Sequence, residues 1–264
     1  MKIYASVDME GIAGIVVREQ LRRGELLYEE ARRLLTQEVN VLVESLIEEG
    51  ATEIILKDAH GTGFNLIVEQ LHPGSRYVLG ATRTEQRFPG LDESFDGALL
   101  IGYHAMAGTQ HAVRDHTFVP TDWQSLTLNG TRVGEIALDA LLFGARGVPI
   151  LLVSGDDKAC AEAHACFDVV QTYQTKVGYG KHAALVTPPA AIYPQIRAAV
   201  QRALQLIGRA QPLTQPGPYR LEMCYSSTDL LDARYFDGER DFRADGVTAV
   251  FQDTDLLRLL ARAL

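Results

Sequence analysis

Five residues spread over four segments carry the side chains best suited to chemistry. Asp8 and Glu10 lie two apart in "SVDMEG" (6–11), His60 stands in "KDAHG" (57–61), His104 in "GYHAMAG" (102–108) and Glu135 in "VGE" (133–135). Each follows a short apolar or β-like run. A sixth residue, His116, lies close to them in "RDHTF" (114–118). Carboxylates with imidazoles form a ligand set for zinc or a similar first-row dication. Three carboxylates are more than one tetrahedral ion needs, so one of them can bridge, and two ions about 3.5–4 Å apart are the natural use. Asp8, short and at a strand end, is the candidate bridge. Glu10 and His60 would complete one ion, and His104 with Glu135 the other. Taken singly, each has a plainer reading. A strand-end histidine is usually a hydrogen-bonded structural residue, Glu135 suits the first turn of a helix, and Asp8 suits a turn. It is the recurrence of such residues at the same kind of position that favours a metal.

The elements that must position them alternate. Lys2–Val7 reads as a strand. Residues 25–49 carry Ala31, Leu34, Leu35, Val39, Leu42, Val43, Leu46 and Ile47 at helical spacing, with Gly50 as a stop. "TEIILKD" (52–58), "RYVLG" (76–80), "GALLIGY" (97–103) and "VPILLVSG" (148–155) read as further strands, "NLIVEQL" (65–71) as a short helix capped by Asn65, and 136–145 as a helix. "SLTLNGTRVG" (125–134) carries Asn129-Gly130 between two β-like runs, the signal of a tight hairpin. This rhythm predicts an α/β fold with a mostly parallel sheet and flanking helices. The remainder, with "FDVVQTY" (167–173) as a strand, a helix over 190–206, a Pro-rich loop and a closing helix over 253–264, reads as a C-terminal α+β lobe. The expected division is an α/β metal-binding core at 1–155 and a lobe at 156–264 that completes the catalytic unit. In open parallel sheets ligands gather beyond the carboxyl ends of the strands, which is where the listed acids and histidines fall.

The 264 residues are 47% hydrophobic and 22% charged, an ordinary globular composition, with a net charge of −9. No Lys/Arg run points to nucleic acid or to a membrane surface. No apolar stretch approaches the roughly 20 residues of a membrane span, and the start turns acidic before a signal-peptide core can form. Cys160, Cys166 and Cys224 give no disulfide framework and no zinc spacing, in keeping with buried thiols in a reducing, cytoplasmic compartment. "HGTGF" (60–64) lacks the Lys-Ser/Thr of a phosphate loop. Asp156 and Asp157 in "SGDD" are expected to cap a helix, with contact to substrate as the other reading. Trp123 and "RYF" (234–236) are expected to pack.

Taken together, the segments resemble the D-aminopeptidase family of bacteria, also described as dipeptide-transport proteins. The likeness runs in order through "SVDMEGIAG" (6–14), "KDAHGTGFN" (57–65), "GLDESFDGALLIGYHAMAG" (90–108), "DHTF" (115–118), "LNGTRVGE" (128–135) and "LVSGDD" (152–157), with "TKVGYGKHAA" (175–184) a weaker piece. The resemblance implies a zinc enzyme with two ions per subunit, whose ligands match Asp8, Glu10, His60, His104 and Glu135 and whose catalytic residue matches His116. It implies cleavage of amino-terminal D-residues, such as D-alanine, from short peptides, and a ten-subunit ring with active sites facing an inner channel. The C-terminal third departs most from the family pattern.

Two rival readings have footholds. A two-metal phosphoesterase would use cations such as Arg114 and Lys57 to hold phosphate. A non-catalytic peptide-binding protein linked to transport would hold structural metal only, but structural zinc sites are closed four-ligand sets, often rich in cysteine.

Overall fold

Residues 2–7 and 97–101 run side by side at the middle of a seven-stranded sheet, and everything in the fold that bears on the site is arranged about that pair. The computed structural model describes all 264 residues. The chain starts in the sheet's interior with β1 (Lys2–Val7), crosses by α1 (Tyr28–Glu48) to β2 (Glu53–Asp58) and continues outward to β3 (Arg76–Val78). It then returns to the other side of β1 with β4 (Gly97–Ile101). A hairpin of β5 (Trp123–Leu128) and β6 (Thr131–Val133) follows, then α2 (Glu135–Gly144), β7 (Ile150–Asp156), α3 (Asp157–Cys166), β8 (Gln171–Gly180) and β9 (Ala183–Val186). The last part holds α4 (Pro189–Leu204), β10 (Tyr219–Tyr225), α5 (Thr228–Asp232), β11 (Asp241–Arg243), β12 (Thr248–Asp253) and α6 (Leu256–Ala263).

The larger sheet has the order β3-β2-β1-β4-β7-β8-β9, with every neighbouring pair parallel except β8 and β9. A second, antiparallel sheet has the order β11-β12-β10-β5-β6. The α/β architecture with a largely parallel sheet and flanking helices is as the sequence predicts. Both sheets draw strands from either side of residue 155, since β5 and β6 precede it while β8 and β9 follow it.

One face of the parallel sheet is covered by α1 and α4, whose Leu35, Val39, Leu42, Ile192 and Ile196 join Ile3, Ala5 and Val7 in one core. The other face meets α2 and, beyond it, the antiparallel sheet through Leu126, Leu128, Leu221 and Met223. All ten residues of α2 are buried, as befits a helix between two sheets. β7 is likewise buried at every position, the pattern of a parallel strand covered on both faces. At the hairpin, Asn129 and Gly130 have φ of 48° and 83°, the two left-handed residues of a type I′ turn.

Three expected elements shift. Of 65–71 only Val68–Gln70 is helical, a single 3-10 turn. Asn65 does not cap it: its backbone and side-chain N–H groups donate to Asp58, and its side-chain oxygen accepts from the Tyr28 hydroxyl. The strand expected at 167–173 begins at Gln171 and runs on to Gly180, because α3 extends to Cys166 and Phe167 still bonds back to it. The closing helix starts at Leu256, with Asp255 capping through a bond from the Arg258 N–H. Trp123 packs edge-on to Phe118 and Tyr225, and Phe236 lies against Phe251, but Tyr235 is 92% exposed, so only part of "RYF" packs.

Candidate metal centre

The order of strands reverses between β1 and β4, the switch point at which parallel sheets open a crevice beyond their carboxyl ends. Asp8 directly follows β1, His104 lies three residues past β4, and His60 lies two past β2. Glu135 opens α2, brought in by the tight hairpin before it. His116 sits in the loop between β4 and β5, where Arg114 and Phe118 take left-handed φ of 56° and 55°. Close backbone contact fixes the first two segments together. Gly11 donates to the Gly102 carbonyl at 2.7 Å, and a side chain at Gly11 would stand 2.2 Å from the Tyr103 carbonyl oxygen. Only glycine allows Glu10 to approach His104 in this way.

All six named side chains converge. Asp8 Oδ1 lies 3.2 Å from His60 Nδ1, and its other oxygen lies 3.4 Å from His104 Nε2. Glu10 Oε2 is 3.0 Å from His60 Nδ1, and Glu135 Oε1 is 3.2 Å from His104 Nε2. His116 Nε2 lies 4.0 Å from Glu10 Oε1 and 3.9 Å from Glu135 Oε1. Two overlapping trios, Asp8–Glu10–His104 and His104–His116–Glu135, have donor atoms within 4.8 Å of one another. His116 therefore comes within ligand reach of the same cluster.

The three imidazoles share one design. The second nitrogen of each meets a backbone carbonyl, which can only accept: His60 Nε2 at Leu21, His104 Nδ1 at Ala105, and His116 Nδ1 at Arg114, at 2.9, 3.0 and 2.8 Å. That carbonyl fixes the hydrogen there and leaves the nitrogen facing the carboxylates free to coordinate, as outer partners of metal-binding histidines do. His104 Nε2 and Glu10 Oε2 are buried without a hydrogen-bond partner. Nitrogen lone pairs aimed at carboxylate oxygens across 3.0–3.4 Å are repulsive unless positive charge lies among them.

The electrostatics of the side chains say the same. Burial, with the charge of Glu10, pushes Asp8 up to about 7. Burial would also raise Glu10, but the positive His60 ring beside it holds it well below the usual carboxylate range. Glu135, equally buried, is held down at about 2 by His104. Burial alone would lower His104, yet Glu135 lifts it to about 10, and Glu10 lifts His60 well above the usual imidazole value. The cluster thus takes up cations, either as protons or as metal ions. His116 differs: burial and the neighbouring His104 charge lower it.

Buried polar groups fix the loop that carries Asp8 and Glu10. The Lys176 ammonium donates to the carbonyls of Glu10, Ile12 and Ile15 at 2.6, 2.8 and 2.5 Å, and Thr175 donates to the Gly11 carbonyl. Glu38, in mid α1, accepts from the Ala13 N–H and from the Tyr173 hydroxyl. Under His104 and Glu135 runs a chain in which Ser6 donates to the Tyr103 hydroxyl, Tyr103 to Asp139, and Arg87 pairs with Asp139. Asp139 sits one turn past Glu135, so its anchoring orients that helix start. Little in the local sequence marks these residues. The one local signal was the 3–4 spacing of Glu38 within the apolar stripe of α1. Asp156 is the expected helix cap, accepting from Lys158, Ala159 and Val113, and Asp157 is engaged by Lys158 and Gly178.

A doubly wound α/β sheet with a buried carboxylate–imidazole cluster at its switch point defines an enzyme class, the metal-dependent hydrolases of peptide type, once the likeness to known proteins is added. The chain belongs to the D-aminopeptidase family, whose model matches residues 1–262. It is 32% identical over 257 residues to the D-aminopeptidase of Bacillus subtilis (strain 168), covering 97% of this chain and 93% of that protein. Its fold matches the structure described as the Zn-dependent D-aminopeptidase DppA from Bacillus subtilis, a self-compartmentalizing protease, with a TM-score of 0.92 at 32% identity over 99% of this chain and 95% of that one.

Proposed function

We propose that this chain is a zinc-dependent aminopeptidase that removes amino-terminal D-residues, such as D-alanine, from short peptides. The observation that carries the reading is the position of Asp8, whose two oxygens face two different imidazoles, His60 and His104. That is the posture of a carboxylate shared by two ions. Asp8, Glu10 and His60 would hold one zinc ion, and Asp8, His104 and Glu135 the other. Two ions so held would supply Lewis acidity, lowering the pKa of a water from about 15.7 towards neutrality and polarising the scissile carbonyl.

The chain's own residues supply the rest. His116, fixed through Nδ1 to the Arg114 carbonyl, presents Nε2 to the cluster. It can take a proton from the attacking water at Nε2 and return it to the leaving amine. Asp156 and Asp157, the acids that the sequence offers for contact with substrate, are engaged within the chain, the first as a helix cap and the second with Lys158 and Gly178. The stacked His104 keeps the His116 ring in plane and excludes water from its face.

The relative's description as self-compartmentalizing supports a closed assembly here too, and we infer a ring of ten subunits with the sites facing inward. No helix of the chain is long and apolar enough to cross a membrane, which fits a cytoplasmic enzyme. The test is hydrolysis of D-Ala-D-Ala beside L-Ala-L-Ala by the zinc-reconstituted protein. Metal-dependent cleavage of the D-peptide alone is the expected result. Cleavage of the L-peptide alone, or phosphatase activity with neither, would overturn the reading. Light scattering of the intact protein reads the subunit number.

A further inference from the structure

In the strand that leads to His60 lies a buried cation, Lys57, with no hydrogen-bonded or ion-paired acid. Lys57 in β2 stands beside Ser6 in the parallel register, so its side chain leaves the sheet on the face towards α2. It is only 4% exposed. Its ammonium lies 5.5 Å from the centre of the Phe88 ring, which covers one side of it. The two acids whose charge reaches it, Asp139 and Asp58, spend their hydrogen bonds on other groups. Asp139 takes the Arg87 guanidinium and the Tyr103 hydroxyl. Asp58 takes the N–H groups of Asn65 and Leu66. An ammonium in a protein interior normally has a carboxylate or a set of carbonyls, as Lys176 does.

Lys57 opens on a cavity of about 90 Å³, walled by Arg83, Arg87 and the backbone of Gly61, Gly63 and Gly80. The glycine turns bring the main chain in close: Gly80 donates to Gly63, and both have left-handed φ, of 93° and 67°. Along residues 81–83, which also line the cavity, the backbone N–H groups donate to no other group of the chain. The space is about three times the roughly 30 Å³ share of one water. It has room for a carboxylate or a tetrahedral oxyanion. Free backbone N–H groups beside a cation form an anion cradle.

We propose that Lys57 and the 61–63 and 80–83 turns form a binding site for one small oxyanion of carboxylate or phosphate chemistry, distinct from the metal cluster. The oxyanion can be a free ion or the terminal carboxylate of a peptide, and only the second case rests on the peptidase reading.

The test compares the zinc-loaded wild type with Lys57→Met and Lys57→Arg by thermal shift under titration with phosphate, sulfate and acetate at constant ionic strength. Phosphate also meets zinc, so the quantity read is the component that Lys57→Met removes. The expected result is a saturable stabilisation that Lys57→Arg keeps and Lys57→Met weakens by roughly tenfold to a hundredfold, with bound zinc unchanged. Met packs against Phe88 without a charge, so Lys57→Met folds and in plain buffer melts no lower than wild type. An identical anion response in wild type and Lys57→Met, or no saturable response in either, overturns the proposal. A second arm separates the sources by comparing KM for D-Ala-Gly and its C-terminal amide. If Lys57→Met raises KM for the free acid alone, the bound group is the peptide carboxylate. If neither KM moves while the anion response is lost, it is a free ion. The thermal-shift arm does not depend on turnover, so its failure is separate from failure of the peptidase reading.

Discussion

The rings of His104 and His116 stack face to face, 3.9 Å between centroids and 12° between planes. Both give Nδ1 to a backbone carbonyl, so both present Nε2 to the carboxylates. Their environments separate them: His104 is lifted to about 10 by Glu135, while His116 is lowered by burial and by His104. His116→Ala is expected to leave zinc content intact and to cut turnover by about 100-fold or more. Mass-spectrometric metal analysis beside the peptide assay checks this, and an equal loss of zinc would make His116 a ligand.

Asp8 spans the two halves of the cluster, whereas Glu135 meets only the half with His104. Asp8→Ala is expected to lose both ions and Glu135→Ala to weaken one. Zinc per chain after dialysis reads the difference. A fully loaded Asp8→Ala protein would end the bridging assignment.

Lys176→Met removes a donor from three buried carbonyls and leaves the loop bearing Glu10 without its anchor. Unmade buried hydrogen bonds of this kind destabilise by about 2–5 kcal/mol in sum. Denaturant melts should register that loss, accompanied by a lower zinc affinity. Unchanged zinc affinity in the folded variant would show that Lys176 supports the fold without positioning Glu10.

Glu162 on α3 accepts the Met106 N–H through one oxygen and buries the other without a partner. Burial pushes it up from 4.5 to about 7. The folded chain therefore holds this proton more tightly than the unfolded chain does. Its contribution to stability is full below the ordinary carboxylate value and is lost as pH rises to about 7. Glu162→Gln keeps an acceptor for Met106 and removes the charge. The variant should match wild type at pH 4 and melt higher at pH 7 and above. Parallel melting curves at every pH would contradict the assignment.

Residues at strand ends were legible in the sequence. Asp8, His60 and His104 each follow an apolar run of strand length, and a parallel sheet brings such ends to one rim. The hairpin was legible too, because Asn-Gly dictates its own turn. What the sequence did not disclose are groups whose partners lie far along the chain. Glu38 and Tyr173 are 135 residues apart, and Arg87 and Asp139 are 52 apart. Glu38, Arg87 and Asp139 each read locally as a surface residue, because charge signals exposure until a distant partner is known. The start of β8 is hidden for a related reason, since it is set by where α3 ends rather than by its own apolar residues.

The bond from Lys176 to the Glu10 carbonyl joins positions 166 residues apart. A nascent chain emerging from the ribosome has made every candidate zinc ligand by residue 135, yet it lacks the strand that shapes the loop bearing two of them. If Glu10 needs that anchor to bind metal, zinc capture is expected only after β8 has docked, late in synthesis. A release series of truncated chains, probed for tight zinc, should show uptake appearing only once residues beyond 180 are present.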